Sequence, residues 1–268
     1  MAWTERQRQM LQEMGIRLWA PVAPPEVAAT PIPAASAKSA PAATRAAPPP
    51  AAAPMPAPAA PVVAADERAR SIAMMPWPAL REAVAACTAC GLYHGRRQTV
   101  FGVGHVHAHW MIVGEAPGEQ EDLKGEPFVG AAGQLLDHML RALNLTRAEA
   151  PPERQVYIAN TLKCRPPRNR NPEPGELSRC EPFLMRQIEL IRPRIILAMG
   201  RFAVQSLLRN SEPIGKLRGR VHRCQGVPLV VTYHPAYLLR NLVDKARAWE
   251  DLCLAAQTLE SVGDAPRA

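Results

Sequence analysis

The chain has 268 residues, 29 of them proline, with 47% apolar but only 5% aromatic side chains and a formal net charge of +8. Residues 21–65 hold 13 prolines and 19 alanines, with too few large apolar side chains to offset the entropy of ordering, which excludes a single 268-residue globule. No apolar run approaches the roughly 18 residues that span a bilayer, and the Met1–Arg8 segment lacks an apolar leader core, so no membrane partner and a cytoplasmic location are expected.

In chain order, residues 1–20 read as a docking peptide or as a frayed terminus. A short helix over 4–19 would align Met10, Leu11, Met14 and Leu18 on one face. Residues 21–65 read as a disordered Pro/Ala linker of polyproline-like, semi-rigid character. Residues 66–268, about 200 residues, suit one core and a monomer. Their 27 basic against 21 acidic side chains are compatible with a polyanionic partner such as DNA without identifying one.

Within that domain four short apolar runs predict buried strands: His109–Gly114, Val156–Asn160, Arg194–Met199 and Val227–Tyr233. Helical patterns lie between them. Leu135, Leu136, Met139, Leu140 and Leu143 share one face, as do Leu177, Leu184, Ile188 and Ile191; Phe202–Leu208 and Arg247–Leu259 supply two more. The alternation predicts a three-layer α/β/α fold with a central, mostly parallel four-stranded sheet.

In such sheets ligands bind beyond the carboxyl ends of the strands. The segments there contain Glu115, Ala116 and Glu121 after the first strand, with Phe128 further on. Asn160 ends the second, with Lys163 beyond it, and His234 follows the last. A carboxylate, an amide, an imidazole and an aromatic ring would thus meet at one sheet edge. Each singly has a structural explanation, as a helix cap, a core ring or a satisfied histidine.

The cysteines divide by spacing. Cys87 and Cys90 form a tight pair, and Cys164 and Cys180 could complete a four-thiolate site for zinc or an iron–sulfur cluster. Cys224 and Cys253 read as buried thiols.

The segments GEAPGEQEDLKGEPFVGAAGQLL (114–136), NTLKCRPPRNRNP (160–172) and HPAYLLR (234–240) closely resemble family 4 uracil-DNA glycosylases, as do the two cysteine pairs. The resemblance covers roughly residues 76–260. It implies hydrolysis of the bond between uracil and deoxyribose, and a [4Fe-4S] cluster on Cys87, Cys90, Cys164 and Cys180.

It also implies a base-binding pocket formed by Gly114, Ala116, Glu121, Phe128 and Asn160. Phe128 would stack on a flipped uracil and the Asn160 amide would read N3–H and O4. Glu121 would lie near the C5 edge. His234 would donate to uracil O2, stabilising the leaving anion, while Glu115 would stabilise the sugar cation or orient water. Family 1 enzymes carry that carboxylate one position later, where this chain has Ala116, so side chain and loop backbone both stand as holders of the water. A further branch traps DNA through a histidine in a basic insert; residues 160–180 contain none.

Lys163, Arg165, Arg168 and Arg170 are expected at DNA phosphates, and Tyr237, Leu238, Leu239 or Arg240 as a wedge into the gap left by the flipped base. Residues 11–19 resemble the N-terminal segment of the psi subunit of the bacterial polymerase III clamp loader. That likeness implies docking on the clamp-loader core through residues 10–19, with Ile16 and Trp19 as anchors. The alternative function is a non-catalytic replication accessory that retains the fold.

Overall fold

The structure, a computed structural model, describes residues 62–261 together with Gln9 and Glu13. Apart from those two positions, the expected helix over 4–19, the docking peptide and nearly all of the 21–65 linker lie outside the described residues. The described helices are α1 (Val62–Ala73), α2 (Trp77–Ala85), α3 (Glu119–Lys124), α4 (Ala131–Ala142), α5 (Pro174–Ile191), α6 (Arg201–Leu208), α7 (Ile214–Leu217), α8 (Pro235–Leu238) and α9 (Asp244–Ser261).

The strands are β1 (Val103–Gly104), β2 (Trp110–Gly114), β3 (Tyr157–Asn160), β4 (Ile195–Met199), β5 (Val221–Cys224) and β6 (Val227–Thr232). They form one sheet in the order β1-β3-β2-β4-β6-β5. The inner four are parallel and are the four strands expected from the sequence. The outer two pair antiparallel, so the sheet is mixed and six-stranded rather than four-stranded.

Both additions have a local cause. β1 is only two residues long, too short for any periodicity to register. It follows Gly102 and ends on Gly104, at φ 142° and 126°, and a Cβ on Gly104 would lie 1.9 Å from the Val156 carbonyl oxygen. β5 and β6 form a hairpin turned by Gln225 (φ 49°) and Gly226 (φ 82°). A tight primed turn needs two left-handed residues, and Gln-Gly supplies them without the usual Asn-Gly signature.

Alternation along the strands divides the core. Ile112, Ile158, Leu197 and Val230 pack on one face beneath α4 and α9, against Leu136, Met139, Leu140, Trp249 and Leu252. Met111, Val113, Ile196, Ala198, Leu229 and Val231 pack on the other beneath α5 and α6, against Leu184, Ile188, Val204 and Leu207. These are the three expected layers. Each fully buried Ile, Leu or Val contributes about 1.5–3 kcal/mol relative to exposure, which is why the strands read as continuous apolar runs.

A smaller cluster of Ile72, Leu80, Val84, Phe101 and Phe183 seats α1 and α2 on α5. It delivers Cys87 and Cys90, just beyond α2, to the end of β3.

Candidate active site

β2 and β3 end level with one another, Gly114 being the register partner of Asn160. A Cβ on Gly114 would lie 2.5 Å from Asn160 Oδ1 and 2.6 Å from the Phe128 ring. Glycine is therefore required for the strand end, the amide and the ring to close together. Asn160 is buried, and its Oδ1 has no hydrogen-bond partner. A buried carbonyl oxygen left unpaired costs free energy unless a ligand fills its place.

Phe128 holds φ at 56°, a left-handed conformation that is rare for a bulky side chain. Its ring stacks on the His234 imidazole, with centroids 5.3 Å apart and planes inclined by 27°. Gly200, at φ 91°, follows β4, and a Cβ there would come within 3.2 Å of His234 Cβ.

His234 is the N-cap of α8, and its Nδ1 accepts from the Ala236 N–H at 3.2 Å. In the neutral ring that bond puts the proton on Nε2, which becomes the donor. Burial pushes the His234 pKa down to about 4, overcoming the opposite pull of Glu121. The imidazole is neutral at physiological pH.

Burial raises the Glu115 carboxyl above the usual carboxylate range, with Arg201 opposing the shift. The Glu115 carbonyl oxygen accepts from both Leu162 N–H and the Thr161 hydroxyl. Glu121 accepts from the Gly118, Val129 and Gly130 N–H groups at 3.0, 2.9 and 3.3 Å. It therefore clamps the loop after β2 to the loop that carries Phe128.

An open cleft of about 950 Å³ collects Glu115, Ala116, Glu121, Phe128, Asn160 and His234, with Arg170, Arg201, Tyr237 and Arg240 also lining it. Gly114 lies just behind it. Arg165 and Arg168 stand off the cleft on the neighbouring loop; Arg165 Nε donates to Asn169 Oδ1 at 2.7 Å. Arg170 is committed to Glu176 through two hydrogen bonds of 2.9 and 2.6 Å.

Two residues expected at DNA are in the core instead. Lys163 is 1% exposed, and its Nζ donates to the Asn160 carbonyl at 2.9 Å and to Gln187 Oε1 at 2.6 Å. It fixes the end of β3 from beneath. Leu238 is fully buried against α4 because α8 turns it inward, so it is no wedge. Tyr237 and Leu239 are exposed, as is Arg240.

Cys87, Cys90, Cys164 and Cys180 line one pocket behind the β3 end. Three of them already receive N–H donors: Arg68 Nη2 to Cys87 at 3.6 Å, Arg96 Nη1 to Cys164 at 3.2 Å, and the Lys163 N–H to Cys180 at 3.3 Å. Burial raises the Cys164 thiol pKa and pushes that of Cys180 up to about 12, so a metal bound there would have to drive their deprotonation. Among the described residues no three His, Cys, Asp or Glu side chains converge as one metal ion requires. A multi-iron cluster takes each thiolate on its own iron, and the donor set of four thiols with surrounding cations fits one. Cys224 is buried, and Cys253 packs partly buried against the α4–α9 side of the core.

Arg201, which also lines the cleft, is not among the residues expected from the sequence; it lies just beyond β4, where the strand-end rule also points.

The model of the Uracil DNA glycosylase superfamily matches residues 101–253. The chain is 43% identical over 164 residues to a "Type-4 uracil-DNA glycosylase" of Archaeoglobus fulgidus, covering 58% of this chain and 79% of that one. It is 42% identical over 168 residues to the protein of the same name from Thermotoga maritima, 62% and 84% of the two chains. A third, from Saccharolobus solfataricus, is 40% identical over 191 residues, 68% and 86%.

Proposed function

The chain belongs to the uracil-DNA glycosylase superfamily, and from that membership we propose how its cleft works. It is a DNA glycosylase: it hydrolyses the N-glycosidic bond of uracil in DNA and so starts base excision repair.

The observation that carries the assignment of roles is the unpartnered, buried Oδ1 of Asn160, set between the Phe128 ring and the end of β2. Uracil presents N3–H to such an acceptor; cytosine has no hydrogen at N3. Phe128 takes the face of the flipped base. As the bond breaks, negative charge gathers on uracil O2 and positive charge on the sugar. Nε2–H of neutral His234 donates to O2, a role the Nδ1 bond to Ala236 supports.

The Glu115 side chain, rather than its backbone carbonyl, stabilises the sugar cation and holds the attacking water. Both lone pairs of that carbonyl are already engaged by Thr161 and Leu162. Glu121 shapes the cleft as a loop clamp. Arg165, Arg168, Arg201 and Arg240 meet phosphates, with Arg170 held in place by Glu176. Tyr237 or Leu239 enters the gap left by the base.

Cys87, Cys90, Cys164 and Cys180 would hold a [4Fe-4S] cluster, which when bound cross-links the segment after α2 to the β3 end and α5. The enzyme works as a cytoplasmic monomer, with residues 10–19 docking on the clamp loader; Trp19→Ala should abolish capture of clamp-loader subunits.

The test is incubation with single- and double-stranded DNA containing one uracil, followed by alkali. A strand break at the uracil, absent with thymine at that position, is expected. No break in either substrate would overturn the assignment.

A further inference from the structure

Arg147 lies outside the cleft, in the loop between α4 and β3, and none of the roles above uses it. Its guanidinium is nevertheless spent on the segment that carries Phe128. Nη1 donates to the Pro127 carbonyl at 3.1 Å and to the Phe128 carbonyl at 2.9 Å, and Nη2 reaches the Gly133 carbonyl at 3.5 Å. Nε donates to Asp137 Oδ1 at 2.6 Å, which sets the plane of the fork from α4. The Arg147 carbonyl is held in turn by Gln155 Nε2 at 3.2 Å.

The segment so held is the strained one. Phe128 at φ 56° has a conformation that persists only where its surroundings over-determine it. Two restraints do so. Gly133 lets α4 approach closely, since a Cβ there would lie 1.7 Å from the Phe128 carbonyl oxygen. Arg147 gathers the two successive carbonyls that a left-handed residue presents. With both carbonyls turned to Arg147, the ring faces His234 and Gly114.

We propose that Arg147 is a positioning residue for base recognition: it locks Phe128 in the left-handed conformation that makes its ring a wall of the uracil pocket. Lysine cannot replace it, because a single ammonium lacks the planar fork that spans three carbonyls and a carboxylate. The proposal rests on Phe128 being the ring that meets the base.

The test uses the full-length, cluster-loaded protein and two DNA probes: a duplex with non-hydrolysable 2′-fluoro-deoxyuridine and one with a tetrahydrofuran abasic analogue. Arg147→Met should weaken binding of the fluorouridine duplex by about 10- to 100-fold, a loss typical of a misplaced contact group. Affinity for the abasic duplex should stay within about twofold, since Arg147 lies outside the cleft. In a Phe128→Ala background Arg147→Met should add nothing, because coupled residues are not additive. Arg147→Lys should not rescue.

Equal losses on both probes, or additive losses in the double variant, would overturn the proposal. If Phe128→Ala itself leaves the fluorouridine duplex bound as tightly as wild type, the reading of Phe128 fails instead. Should Arg147→Met not fold, Asp137→Ala keeps the guanidinium but removes the acceptor that sets its plane. A smaller loss confined to the fluorouridine probe is then expected, and no such loss, or a loss shared by both probes, rejects the proposal.

Discussion

The Phe128 ring and the His234 imidazole stack 5.3 Å apart at 27°, although they come from segments that follow different strands, β2 and β6. That contact joins the ring proposed to hold the base to the imidazole proposed to stabilise its departure, and burial holds that imidazole's pKa down.

The first consequence concerns pH. The His234 pKa lies at about 4 in the folded chain, below the ordinary 6.5. Such a group takes up its proton first in the unfolded chain, so it lowers stability as pH falls from about 6.5 toward 4 and has no such effect above that window. Single-turnover excision should therefore show no inflection near pH 6.5. An inflection there that disappears in His234→Asn would show a protonated imidazole at work. Replacing His234 by Ala should lower the rate by about 100- to 1,000-fold, the usual cost of losing one donor to a developing anion.

Glu115 should account for the acid limb of the same profile. In its proposed role it must be ionised to face the sugar cation, and burial raises its pKa above 4.5. Excision by the wild type should fall on acidification with a midpoint above 4.5. Glu115→Gln should be slow and should lack that limb; a Gln variant with the wild-type limb would assign it to another group.

Gly114→Ala should disable the pocket while the fold survives. The new methyl would meet Asn160 Oδ1 and the Phe128 ring at 2.5 and 2.6 Å. Overpacking of this kind costs about 1–3 kcal/mol, which a melting curve can register. Uracil excision should fall far more than stability does, and equal activity in wild type and variant would mean that the amide and ring do not meet the base together.

The cysteine site predicts a brown protein. Anaerobically purified protein should contain iron and sulfide in equal amounts, about four of each per chain. Cys164→Ala should lose the visible absorbance and loosen the basic loop at 165–170. Stoichiometric zinc in a colourless protein would contradict the cluster.

Much of this was legible in the sequence because each inner strand is buried on both faces and so reads as an unbroken apolar run, matched within a residue at either end. The strand-end rule put Glu115, Asn160 and His234 at one sheet edge, and they line one cleft there. What escaped it has specific causes. Lys163 reads as a surface cation beside Arg165 and Arg168, yet it is buried because Gln187, 24 residues on, and the Asn160 carbonyl supply its partners. Leu238 sits in a four-residue helix whose inward face depends on docking against α4. The grip of Arg147 on Phe128 spans 19 residues of sequence, and no local pattern encodes it.

The most direct measurement is release of free uracil from a uracil-containing duplex under single-turnover conditions, by wild type and by Asn160→Ala. Wild type should release one uracil per site and leave an alkali-labile strand. Asn160→Ala should be slower by at least about 100-fold, because a site built to hydrogen-bond its ligand fails steeply when the bond is removed. Release of no uracil by the wild type, or equal rates from both proteins, would contradict the reading of this cleft.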